Sequence, residues 1–207
     1  MSFDLKLHAY RLLMDEPFFA ALSRKIEKRA SNAVPTAGVR VDPDTAQFEM
    51  VYNPEFFASL PEEQVRGVLK HEFYHLIFDH VTSRKPEGVN PKLWNICADL
   101  AINSHLVGEL PDNCCMPGVA PFEDLPKGET AEWYLANMPQ NDEDEGEGGE
   151  GEPGEGQPGD GEPSDGSGDP GNFDDHSGWS ESGDSPEQEA ANQMAKERLK
   201  NAMKEAA

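Results

Sequence analysis

The sequence predicts an α+β fold, a mainly helical domain with a small β-hairpin or sheet, followed by an acidic tail. Three observations predict it. Apolar residues recur at helical spacing through 65–77 and 93–107. Residues 38–42 and 47–52 alternate apolar and polar, as half-buried strands do. From 141 to about 186 the chain is Gly, Glu, Asp, Pro and Ser, a composition too poor in apolar surface to offset chain entropy.

The expected organisation is a domain over 1–139, a disordered linker over 140–186 and an isolated linker helix over 187–207. Residues 141–190 hold 18 of the 40 acidic residues and none of the 17 Lys and Arg. The net charge of -23 is therefore mostly the tail's, and such a tail argues against nucleic-acid binding. The N-terminal residues lack the basic and apolar regions of a signal peptide, and no run reaches the length of a membrane span. Cys97, Cys114 and Cys115 form no C-x-x-C pair, and an odd count fits a reducing cytoplasm.

Residues 3–31 read as helix, with a break near Pro17 and with Lys25, Lys28 and Arg29 at the negative end of its dipole. The two alternating stretches flank Asp42-Pro43-Asp44-Thr45, which has turn chemistry, so they read as a hairpin. That hairpin could edge a cleft where an extended peptide adds as a strand. Ser59-Leu60-Pro61-Glu62 reads as a capping box opening a helix over about 60–82. Asn90-Pro91 reads as an N-cap with proline in the first turn, opening a helix over 93–107. Its Asn95, Asp99 and Asn103 fall at i, i+4 and i+8, one polar stripe on an apolar helix. Residues 130–138 read as a short helix with Trp133, Tyr134 and Leu135 in the core.

The first long helix carries His71-Glu72-Phe73-Tyr74-His75. Residues four apart lie on one helix face, so His71 and His75 can offer two imidazoles to one ion, with Zn2+ expected from the spacing. Glu72 is placed to take a proton from a metal-bound water. A catalytic zinc takes three protein ligands. Asp99, from the next helix, is the favoured third. His80 is the alternative, although it lies about 140° round from His75 on a straight helix and could bind only if the helix broke. Asn95 and Asn103 are expected to orient the ligands.

These residues, His71-Glu72-Phe73-Tyr74-His75 with His80 and Arg84, then 94–103, Glu132-Trp133-Tyr134-Leu135 and the island 174–179, carry a resemblance. The chain resembles the N-terminal metallopeptidase-like domain of a group of bacterial and phage proteins, which usually precedes a von Willebrand factor A-like domain. The resemblance implies a zincin-like fold and a peptidase activity. Its pattern includes a histidine at the place of His80, which keeps that residue open as a ligand.

The expected function is zinc-dependent peptide-bond hydrolysis with a protein or peptide substrate. The alternative is a catalytically silent metal-binding module that meets a protein partner through the tail and last helix. A further expectation is that the 173–179 island docks on the metal through Asp175 or His176.

Overall fold

The computed structural model describes residues 3–138 and 185–206. Residues 140–184 of the expected 140–186 linker, with the island among them, lie outside the described residues. The fold is α+β, with helices packed on a three-stranded sheet.

Helix α1 (Leu5–Asp15) starts at Asp4, whose side chain accepts from the Lys6 amide, and Pro17 then begins α2 (Pro17–Ser23). The break falls at Pro17 as expected, but the helix expected over 3–31 stops at Ser23. Residues Glu27–Ala30 form strand β1, parallel to β3. Strands β2 (Ala37–Asp42) and β3 (Gln47–Tyr52) form the expected hairpin, and the sheet order is β1-β3-β2. The polar Glu27-Lys28-Arg29 run gave no alternation, and tertiary pairing overrides its local preference. Glu49, 7 % exposed in the central strand, is gripped by Arg29 of β1 at 2.6 Å and Arg40 of β2 at 2.8 Å. Burial pushes its carboxyl pKa up, but the two guanidinium groups outweigh this and hold it below the usual range.

The capping box does not form. Ser59 closes a short helix α3 (Pro54–Ser59), its hydroxyl donating to the Phe56 carbonyl at 2.7 Å. Pro61 then precedes α4 (Glu62–Ile77), with no side-chain cap. Asn53 caps α3 and Asn90 caps α5 (Pro91–Asn103), each accepting two amides, so the second Asn-Pro signal is read correctly. Helix α6 (Ala131–Asn137) is capped by Thr130, and Tyr134 is fully buried.

Helix α4 runs through the core. Val65, Val68, Leu69, Phe73 and Leu76 are buried, and α4 packs against β2, α1, α2 and α5. Lys70 is buried on it and bonded to Glu16 at 2.7 Å and Glu109 at 2.5 Å. Burial lowers the amine pKa, yet the two carboxylates outweigh it and hold it above the ordinary lysine value.

The last helix, α7 (Pro186–Ala206), is not isolated. Ala191, Ala195, Leu199 and Ala202 are buried, and α7 packs against α2 and the β2–β3 hairpin. Arg198 donates to the carbonyls of Thr45 and Ala46 at 2.9 and 2.7 Å, and Lys196 reaches Asp79 and Ser83. Its contact face is mostly alanine, which gives a weak apolar signal in sequence. No helix among the described residues is long and apolar enough to cross a membrane.

Gly67 sets how closely the 104–110 segment approaches α4. A Cβ there would lie 2.0 Å from the Glu109 carbonyl oxygen. Gly67→Ala should therefore destabilise the protein by about 1–3 kcal/mol, the cost of overpacking a tight contact, despite alanine's better helix propensity. The test is the urea midpoint, which should fall while the slope is unchanged. An unchanged midpoint would show that the segment can retreat.

Candidate metal centre

The facing of α4 and α5 builds the site. His71 and His75 are one turn apart on α4, and Asp99 lies on α5. All three are 0–1 % exposed. His71 Nε2 and His75 Nε2 are 2.9 Å apart. Asp99 Oδ1 is 3.1 Å from His75 Nε2 and 3.6 Å from His71 Nε2. These three potential donor atoms form one compact triangle, the His71–His75–Asp99 grouping among the described residues that could hold a metal.

The triangle has the size a small cation needs. Ligands about 2.0–2.2 Å from a tetrahedral ion stand about 3.3–3.6 Å from one another. The observed separations of 2.9, 3.1 and 3.6 Å run from somewhat below that range to its upper end.

Asn103 fixes how His71 presents its ring. The Asn103 amide nitrogen donates to the Cys115 carbonyl at 2.7 Å, so its oxygen faces His71 Nδ1 at 2.8 Å. A carbonyl oxygen can only accept, so Nδ1 carries the proton and Nε2 turns a lone pair into the triangle. A lone pair, a carboxylate oxygen and a second ring nitrogen this close repel unless positive charge lies among them. A proton between the rings or a metal ion would supply it. The donor set of two imidazoles and one carboxylate suits zinc and also ferrous iron.

His80 does not join the triangle from the same side. Its Nδ1 lies 3.3 Å from His75 Nδ1, the nitrogen of His75 that faces away from Asp99 Oδ1 and His71. If His75 Nε2 ligates an ion, its Nδ1 carries the proton and His80 Nδ1 is placed to accept it. The helix does break, as a His80 ligand would need. It ends at Ile77, and Asp79 takes the left-handed conformation at φ 63°. The break turns His80 behind His75. His80 is held there by its own amide donating to the His75 carbonyl at 2.9 Å and by the Trp94 indole donating to the His80 carbonyl at 3.4 Å. Arg84 secures the same turn, donating to the Phe78 carbonyl at 3.1 Å while pairing with Glu132 of α6 at 2.8 and 2.5 Å.

Glu72 follows His71 on α4 and is 0 % exposed. Asn95 is buried at 7 %, but the described residues give its Oδ1 no hydrogen bond and tie it to neither ring. Cys97, two residues before Asp99 on α5, has its thiol pKa pushed up to about 12 by burial and then by Asp99. Three contributions escaped the sequence reading: the placement of His80, the Arg84–Glu132 clamp and the Lys70 triad. Each depends on a partner more than 10 residues away or on a backbone turn.

The site and fold together define an α+β domain with a buried His-His-Asp cluster of metal-ligating type. The chain belongs to the family described as "Putative metallopeptidase domain", whose model matches residues 2–207. The chain is also similar to an uncharacterized protein of Thermotoga maritima, 29% identical over 62 residues. That match covers 30% of this chain and 16% of the relative. No solved structure matches it.

If the triangle holds a divalent ion, Asn103→Ala should lower its metal affinity about 10–100-fold, as loss of a ligand-orienting partner does. Competition against a chromophoric chelator measures it. Asn95→Ala should leave that affinity unchanged, and equal losses in both variants would mean general loosening of α5 instead.

Proposed function

We propose that the chain is a zinc-dependent metallopeptidase, with His71, His75 and Asp99 as ligands and Glu72 as general base. The observation that carries the reading is the convergence of His71 Nε2, His75 Nε2 and Asp99 Oδ1 within 3.6 Å. When bound, the ion would polarise the scissile carbonyl and acidify a water. Glu72 would hold the proton taken from that water and deliver it to the leaving amine. Asn103 would keep the His71 lone pair aimed, and His80 would take the Nδ1 proton of His75. Strand β2, an outer strand packed against α4, would offer backbone groups to an extended peptide. The His-Glu-x-x-His spacing favours zinc over iron, because it sets a carboxylate base beside the ligands. The odd cysteine count suits a cytoplasmic setting for this activity.

One observation favours a second reading. Glu72 and the three donors are at most 1 % exposed, as in a structural metal site closed to substrate. The chain would then be a metal-stabilised module that works by binding a protein partner.

Zinc content by mass spectrometry separates metal from accident. Wild type should carry about one zinc per chain and His71→Ala almost none. Equal, near-zero zinc in both ends both readings, and iron in place of zinc ends the peptidase reading. Glu72→Gln should keep the metal and lose cleavage of an unfolded protein substrate. A zinc-replete wild type that cleaves nothing supports the binding module.

A further inference from the structure

A cavity of about 540 Å³ lies between α1, α2, the start of β1 and the end of β3. None of the metal-centre residues lines it. Its volume is in the range of small-molecule sites. Phe3, Leu5, Ile26 and Tyr52 make its apolar wall, and Lys6, Arg24 and Lys28 bring positive charge to it. Asp4 is its one acid, and that carboxylate is already engaged in capping α1 through the Lys6 amide at 2.9 Å.

Lys28 sets it apart. Its ammonium donates to the carbonyls of Ser23 and of Ile26, the latter at 2.9 Å. An ammonium has three donors, so one remains for a ligand. Lys70, Arg84 and Lys196, also wholly or partly buried, are matched by acids of this chain: Lys70 by Glu16 and Glu109, Arg84 by Glu132, Lys196 by Asp79. The bonds of Lys28 among the described residues go to carbonyls. Burial accordingly pushes its amine pKa down to about 8. The amine also lies 6.0 Å from the centroid of Phe73, which follows Glu72 on α4, so the cavity abuts the metal-bearing helix.

We propose that this cavity binds a small organic carboxylate with an apolar body, its carboxylate paired with Lys28. The apolar part would fill the wall of Phe3, Leu5 and Ile26, and Lys6 and Arg24 would add to the field at the mouth. The partner acid that Lys28 lacks among the described residues is then supplied by the ligand.

Titration calorimetry of the full chain with 2-naphthoate tests this. One-to-one binding is expected, weakened about tenfold or more in Lys28→Met and restored by Lys28→Arg, which keeps the charge. The uncharged 2-naphthylmethanol should bind about tenfold more weakly than the acid. Affinity should fall as pH rises through about 8, because the ammonium is lost. The other charged or titratable groups lining the cavity are Asp4 just before α1, Lys6 and Tyr10 of α1, Arg24 after α2 and Tyr52 of β3. His71→Ala should bind 2-naphthoate as wild type does. Binding lost in His71→Ala would put the carboxylate on the metal centre and overturn the proposal. So would no binding at millimolar 2-naphthoate, equal affinity in Lys28→Met, or equal affinity for the alcohol.

Discussion

Asn103 joins three segments of the chain through one side-chain amide. It sits on α5, faces a ring on α4, and donates to the backbone at Cys115 in the following loop. A buried amide that satisfies both ends leaves no freedom to flip. The His71 tautomer follows from it, and so does the lone pair at the centre of the site. Rotation of α5 by one residue, about 100°, would remove both Asn103 and Asp99 from the rings. The packing of α4 on α5 is thus held by polar geometry as well as by Trp94, Leu100 and Ile102, which are fully buried.

The end of α4 supplies the second constraint. A helix continuing past Ile77 would carry His80 round to another face. Asp79 ends it instead, in a left-handed conformation that Asp tolerates better than most residues. Its carboxylate is engaged by Thr82, Ser83 and Lys196, which hold the turn. Burial works against ionisation of Asp79, and these partners overcome it, keeping its pKa below the usual value. His80 is then delivered to the back of His75. One residue decides which side of His75 the third histidine meets.

The centre was largely legible because it rests on helical periodicity. The four-residue spacing of His71 and His75, and of Asn95, Asp99 and Asn103, follows from helix geometry alone. The Asn90-Pro91 cap fixed where α5 begins. Illegible parts had other causes. Strand β1 exists because it pairs with β3 and because Arg29 meets Glu49, a contact 20 residues away in sequence. Helix α7 docks through alanines, whose small side chains look neutral in a pattern of apolar residues. The Ser59 capping box failed because its hydroxyl turned back to close the preceding helix, a competition that sequence spacing does not reveal. In the stripe itself, periodicity placed Asn95 beside Asp99 but could not say that its bonding would differ from that of Asn103.

Charge balance bears on what fills the triangle. Glu72 and Asp99 are both carboxyl groups at most 1 % exposed, and burying two carboxylates is costly unless positive charge accompanies them. Lys70, the buried amine on the same helix, cannot serve, because Glu16 and Glu109 already hold it. Arg84 is likewise committed to Glu132. A divalent cation would balance two carboxylates beside two neutral imidazoles. Protons could also neutralise them, but a proton serves two atoms along one line. A triangle of three donors 2.9 to 3.6 Å apart is shaped around a common centre, which is what an ion requires.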